Sequence, residues 1–382
     1  MKIAINITRE QMGGITTTNL SLLNQLHGSN DVSFVGIELN SNRSFKSASL
    51  FRHLSPEWFS HHVISVCDYP LGVMIKRSKN LADLEKRFAP IILLIRKILQ
   101  KERPDVVLLN GTYYMPWLIS IACKKEKIPV VLWYAGVLSQ ETSHFAVKEK
   151  NLMWNMERAV VHNATKVIFP STICKEKVQR SVVNSTKVRN ALVIPNPISP
   201  LFTQHKSPES SVENRIAFVG RFAQIKNPAG FIKIHKALLK CKWKHEATIV
   251  TNVQSIDRRK IPKTITVLPS MTPSELKIFY ATQGVIICPS LFETFGNVPI
   301  EAACIGIPVL VHNNMGCAEV LNESNLRKCV IDFNDEAAVI KRVKELCGQQ
   351  ILIRQINNLR KRVDVKYISQ EIILVIKSVI EK

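Results

Sequence analysis

Acid is scarce in this sequence, and so are the patterns that mark several protein classes. Its 52 Lys and Arg face 30 Asp and Glu, a formal net charge of +22. No aspartate has another two positions away, so the Asp-x-Asp triplet that grips a divalent cation is missing. The nine cysteines are odd in number and include no C-x-x-C pair. That usage argues against a metal site or a disulfide framework, and for reduced thiols in a cytosolic compartment. No apolar run reaches the length of a membrane span, and no tract is of low complexity. Met1 to Ile7 leads straight into a strand, so no signal peptide is expected. Helix-turn-helix, zinc-finger and RNP-type motifs are absent as well, so nucleic acid is not the expected partner of the basic excess.

What the chain does have is length and an even spread of positive charge. Its 382 residues suffice for two α/β domains with full cores. The excess is +12 up to Pro200 and +10 after it, so it is no tail. An even excess suits an anionic substrate or an anionic membrane surface. The stretch Met74 to Arg103 is the most basic, with nine Lys or Arg against three acids. Within it Ile91-Ile92-Leu93-Leu94-Ile95, with Ile98 and Leu99, forms an apolar helical face flanked by Arg96, Lys97 and Lys101. Two readings stay open there: a packing helix with a solvated basic side, or a helix lying on anionic lipid.

The most informative stretch is Val285 to Val320. Val285-Ile286-Ile287-Cys288 is short and apolar enough for a buried strand, and Cys288 and Cys304 read as core rather than nucleophiles. Pro289-Ser290 ends the strand, and a loop from Leu291 to Gly296 follows. Asn297 is placed to cap a helix whose first turn tolerates Pro299 and holds Glu301. Gly306 stops that helix, and Pro308 leads into the strand Val309-Leu310-Val311. A β-loop-α-β unit of about thirty residues implies parallel strands, with ligands at their carboxyl ends. That edge carries Glu293 and Glu301, beside a helix N-terminus suited to phosphate. Taken alone, two glutamates eight apart fit a solvated strand edge equally well.

Other loops share this placement. Strand Lys2 to Ile7 runs into Gly13-Gly14 and a helix through about Leu26, either a phosphate cradle in outline or an ordinary βα turn. Strands at Asp105 to Leu109 and Pro129 to Tyr134 end in Asn110-Gly111 and Ala135-Gly136. Strand Ile216 to Val219 opens a loop carrying Arg221 and Lys226, a fork and a point charge suited to a diphosphate, or simply a solvated basic loop. After Val330 the pattern is helical to the end.

These motifs together resemble the retaining glycosyltransferases of family 4. The family pattern P-S, E-x-F-G, a second Glu eight residues after the first, then G-x-P-V reads here as Pro289-Ser290, Glu293-Thr294-Phe295-Gly296, Glu301 and Gly306-Ile307-Pro308-Val309. Gly316-Cys317-Ala318-Glu319 also fits, and the family's G-R-x4-K reads as Gly220-Arg221 and Lys226. The resemblance spans the chain, most strongly from Gly220 to Glu319. It implies an α/β protein of the GT-B fold, two Rossmann-like domains with parallel sheets facing a cleft. The expected division is 1–198 for the acceptor, 199–365 for the nucleotide sugar, and 366–382 as a helix returning to the first domain.

By the same resemblance, Glu301 holds ribose hydroxyls and Glu293 the donor sugar near its anomeric carbon. Arg221, Lys226, the segment Phe295-Gly296-Asn297-Val298 and the Gly13-Gly14 loop face the donor diphosphate. Charge grows on that diphosphate as the glycosidic bond breaks, so preorganised cations and amides lower the barrier. With no Asp-x-Asp triplet, side-chain cations replace a metal, and no cofactor is expected beyond the nucleoside diphosphate sugar itself. The acceptor is a glycan, a lipid-linked sugar or a small molecule. The chain departs from the family where relatives carry a His before Gly136: here stand Tyr134-Ala135. Pro197 replaces the Gly of the linker strand, and Thr251-Asn252-Val253 replaces a Gly-rich turn. Two rivals are a nucleotide-sugar epimerase of the same fold, which would need no acceptor, and a non-catalytic basic protein, which would bind its partner without Glu293 and Glu301.

Overall fold

The computed structural model describes residues 1–8, 13–41, 51, 53–142, 145–205 and 212–381. Gln11 and Met12 of the first loop, and most of the polar stretch before Glu213, lie outside the described residues. Met1–Pro170, Cys174–Ile194 and Lys366–Lys382 form one compact unit, and Ser171–Ile173 with Pro195–Val365 form a second.

The first unit is built on a seven-stranded sheet of β1 (Lys2–Ile7), β2 (Ser33–Asn40), β3 (Phe59–Ser65), β4 (Val106–Asn110), β5 (Val130–Trp133), β6 (Lys166–Phe169) and β7 (Leu192–Val193). Its spatial order is β3-β2-β1-β4-β5-β6-β7, with every pair parallel. Helices connect most of these strands, as parallel pairing requires. The last helix, Val365–Ile380, buries Ile368, Ile372, Val375, Ile376 and Val379 among the residues of β1 and β4. That spacing of three and four residues is the apolar stripe of a helix packed on a core.

The second unit holds a six-stranded sheet of β8 (Arg215–Val219), β9 (Glu246–Val250), β10 (Ile265–Leu268), β11 (Val285–Cys288), β12 (Val309–His312) and β13 (Val330–Ile331). The order is β10-β9-β8-β11-β12-β13, again all parallel. Strand residues alternate between two buried faces. Ala217, Ile286, Cys288, Val309 and Val311 join one core, while Ile216, Phe218, Val285, Ile287 and Leu310 join the other. A sheet covered on both sides explains why its strands read as unbroken apolar runs.

Both sheets reverse direction of growth once: between β1 and β4 in the first, between β8 and β11 in the second. At such a switch point the loops leaving neighbouring strands diverge, and the carboxyl edge opens into a ligand crevice. The fold therefore places the loops after β8 and β11 side by side.

Candidate functional site

The two loops at the second switch point are bolted together by their backbones. Leu291 N donates to Ile225 O at 2.9 Å, and Asn227 Nδ2 donates to Pro289 O at 3.1 Å. Asn227 adopts the left-handed conformation, φ 51°, and its Oδ1 accepts from Gly230 N at 3.0 Å, capping the helix Pro228–Lys240. An Asn tolerates that backbone better than most residues because its side chain bonds locally. With the loops fixed, Lys226 Nζ forms an ion pair with Glu293 Oε1, whose second donor is Ser290 Oγ at 3.0 Å. The pair keeps 25 % and 16 % of its side-chain surface exposed, so it is shielded yet reachable. Arg221 is exposed in the same loop and has no hydrogen bond or ion pair among the described residues.

The backbone beyond Glu293 is equally constrained. Gly316 N donates to Glu293 O at 3.0 Å and Cys317 N to Phe295 O at 2.7 Å. Phe295 is wholly buried and anchors the loop. Gly296 has φ 103°, a left-handed backbone conformation that favours glycine, and a Cβ there would lie 2.9 Å from the flexible end of Met315. The helix that follows is Asn297–Cys304, and its cap is Gly296, not the expected Asn297. Asn297 instead opens the helix, and its Oδ1 accepts from Asn196 Nδ2 at 3.2 Å. As the first helical residues, Asn297 and Val298 have amides without an intrahelical acceptor. Val298 is half-buried beside them.

Glu301 departs from its expected setting. It is the fifth residue of that helix rather than part of the first turn, and it is buried, with 8 % exposed. Tyr280 OH donates to its Oε2 at 3.3 Å. Burial pushes the carboxyl up to about 7, against the pull of the Tyr280 hydroxyl. Burial thus favours the protonated form of this carboxyl. Sequence reasoning missed Tyr280, which stands 21 residues away on another helix, and assigned Ser290 no role. The thiols of Cys288 and Cys304 are both pushed up to about 12 by burial, which makes them core groups and not nucleophiles.

Gly13 and Gly14 belong to the first unit. Gly13 caps the helix Gly14–Leu26 with an extended backbone, φ −100°, and a Cβ at Gly14 would meet nothing within 4 Å. Neither needs glycine for a positive φ, contrary to the sharp turn expected from the sequence. Tyr134, the residue before Ala135-Gly136, is fully buried, and its hydroxyl donates to Glu157 Oε1. Glu157 Oε1 also accepts from Leu138 N at 3.2 Å. Burial pushes Glu157 up to about 7, with the Tyr134 hydroxyl opposing. Tyr134 is a core residue that shapes the loop after β5, and it does not stand in for a histidine.

A two-domain, doubly wound α/β protein with a cation–carboxylate pair at one switch point is the class these features define. Residues 12–200 match the family description "Glycosyltransferase Family 4", and residues 202–363 match "Glycosyl transferases group 1". The chain is 23% identical over 306 residues to the capsular polysaccharide biosynthesis glycosyltransferase CapM of Staphylococcus aureus, covering 74% of this chain and 78% of that protein. Sucrose-phosphate synthase from Thermosynechococcus elongatus shares its fold at TM-score 0.70 and 15% identity, over 99% of this chain and 98% of the other. A trehalose-6-phosphate protein of E. coli bound with UDP-2-fluoro glucose does so at TM-score 0.63 and 12% identity, over 99% of each chain. The protein is a glycosyltransferase of the GT-B fold.

Proposed function

We propose that the protein moves a sugar from a nucleoside diphosphate sugar to a glycan, lipid-linked or small-molecule acceptor, with retention of anomeric configuration and without a divalent metal or cofactor. The observation that carries the reading is the Lys226–Glu293 pair at the second sheet's switch point, with Arg221 exposed in the same loop. Lys226 and Arg221 take the diphosphate, and the amides opening the helix Asn297–Cys304 add the positive end of its dipole. As the bond to the sugar breaks, these groups stabilise the charge left on the diphosphate. Glu293 accepts hydroxyls of the sugar, and Glu301 those of the ribose. Gly13 and Gly14 are proposed donor contacts of the first unit, which also binds the acceptor. The similarity to CapM, named for capsular polysaccharide biosynthesis, supports a place in glycan synthesis. The test is turnover of UDP-, GDP-, ADP- and CMP-sugars in excess EDTA. Activity that persists supports the reading; activity lost in EDTA and restored by magnesium or manganese contradicts it.

The basic stretch sharpens the setting of the reaction. Ile91, Ile92, Ile95 and Leu99 are buried in the first unit, so the apolar face of the helix Ala89–Glu102 is core and not a lipid face. Leu93 and Leu94 are exposed at 48% and 43%, and Val73 at 40%, while Lys76, Arg77 and Lys86 are exposed in the same stretch. No helix among the described residues is long and apolar enough to cross a membrane. We propose that this stretch touches anionic lipid peripherally from the cytoplasmic side, each cation near the surface adding about 1 kcal/mol. Cosedimentation with phosphatidylserine vesicles should fall when Lys76, Arg77, Lys86 and Arg87 become Gln; unchanged binding removes the idea.

A further inference from the structure

We infer that Glu293 is a latch on Lys226: it occupies the cation while the site is empty, yields it to an incoming donor, and competes for it again once the sugar has left. The inference rests on the reading of this site as the donor diphosphate site, and it adds a control on product affinity that the reading does not contain.

The geometry is specific. Both Lys226 Nζ and Ser290 Oγ donate to one carboxylate oxygen, Oε1, so neither donor uses Oε2. Ser290 is 3 % exposed and hence a fixed donor. The main chain of Glu293 is held by Gly316 N, and the loop of Lys226 is held by Leu291 N. This is a built contact, unlike an ion pair formed between two free surface chains. Shielding from water makes such a pair stronger than an exposed one.

Three states follow. In the empty protein the latch is closed and Lys226 is neutralised. A diphosphate brings more negative charge than one carboxylate, so it takes the ammonium. The freed carboxylate then needs new donors, and the hydroxyls of the attached sugar supply them. After transfer the sugar is gone while the diphosphate remains. Glu293 has lost those donors and again competes for Lys226, which weakens the hold on the bare nucleoside diphosphate. A ligand that must first open a closed state binds more weakly by the fraction of protein that is open. Ser290 is a positioning residue here: it keeps Oε1 turned toward the lysine.

The test uses the full chain and inorganic pyrophosphate, which carries the diphosphate without base, ribose or sugar. Calorimetric titration compares wild type, Glu293→Gln, Lys226→Met and the double variant, each checked by a melting scan, with Glu293→Ala replacing an unstable Glu293→Gln. The expected result is pyrophosphate binding about fivefold to tenfold tighter in Glu293→Gln than in wild type, as for removal of a shielded ion pair. In the Lys226→Met background the same change should bring no gain, because a latch acts only through the lysine. Unchanged or weaker binding in folded Glu293→Gln overturns the latch. An equal gain in the Lys226→Met background also overturns it, since that gain is plain repulsion between carboxylate and phosphate. Wild type that binds neither pyrophosphate nor any nucleoside diphosphate overturns the donor-site reading beneath it, an outcome distinct from binding without a gain.

Discussion

The two switch points of this protein share a topology and differ in chemistry. Between β1 and β4 sit three buried asparagines that satisfy one another. Asn6 Nδ2 donates to Asn110 O at 3.0 Å, Asn110 N to Asn6 Oδ1 at 2.7 Å, Asn19 Nδ2 to Asn6 O at 2.9 Å, and Asn110 Nδ2 to Asn19 Oδ1 at 2.9 Å. Between β8 and β11 stand a lysine and a glutamate that remain within reach of solvent. Among the described residues the first switch point holds a neutral hydrogen-bonded network, and the second holds an ion pair. Strand order alone thus says where a ligand can sit, while the side chains decide whether an anion is welcome.

Breaking the first switch point should cost stability and leave donor chemistry alone. Asn6→Leu removes both the acceptor of the buried Asn110 N–H and the donor to Asn110 O. The expected loss is about 3 kcal/mol of folding stability, the order found for orphaned buried polar groups. Denaturant melts give that number, and donor affinity of the remaining folded protein should match wild type. Stability unchanged by the substitution would contradict the view of the asparagines as a structural lock.

Glu301→Gln sharpens the contrast from the second unit. The ionised carboxylate accepts ribose hydroxyls better than an amide does, so donor affinity should drop by about 1 kcal/mol at pH 8. Because burial holds the wild-type carboxyl near 7, donor affinity in wild type should weaken as pH falls from 8 to 6. The Gln variant lacks this dependence. Calorimetry at both pH values reads the effect, and parallel pH profiles for the two proteins would remove Glu301 from the donor site.

The effect that shows only as a pH dependence lies beside Tyr134. Glu157 titrates at about 7 in the folded state against about 4.5 unfolded. Its folded value is the higher, so the folded state binds more protons within that window, and wild-type stability falls as pH rises through it. Glu157→Gln keeps an acceptor for Tyr134 and Leu138 and does not titrate. It should therefore stabilise the protein by roughly 2 kcal/mol more at pH 8 than at pH 5.5. An equal shift in melting temperature at both pH values would contradict the raised carboxyl.

Much of this was legible in the sequence because it is local. The strand Val285–Cys288, the stop at Gly306 and the parallel strand Val309–His312 follow from apolar runs and punctuating Gly and Pro. What was not legible depends on residues far apart in the chain. Lys226 and Glu293 are 67 residues apart, and only the strand order β8-β11 makes them neighbours. The burial of Glu301 was hidden for the same reason: a lone Glu in a helical pattern reads as solvated until Tyr280 and its surrounding core close over it. The helix Ala89–Glu102 shows the converse, since an apolar face flanked by cations has one pattern whether it meets lipid or a core.

The proposed role of the charged switch point is to stabilise the departing diphosphate. Single-turnover transfer from the nucleotide sugar that the screen identifies, measured in Arg221→Ala and Lys226→Ala, tests it most directly. Both residues lie in a loop, so melting temperatures should stay near wild type. Each variant should lose about 2 kcal/mol or more of transition-state stabilisation, a rate reduction of roughly thirtyfold or greater. Near-normal turnover in both well-folded variants would show that the charge at this edge does not act on the reaction.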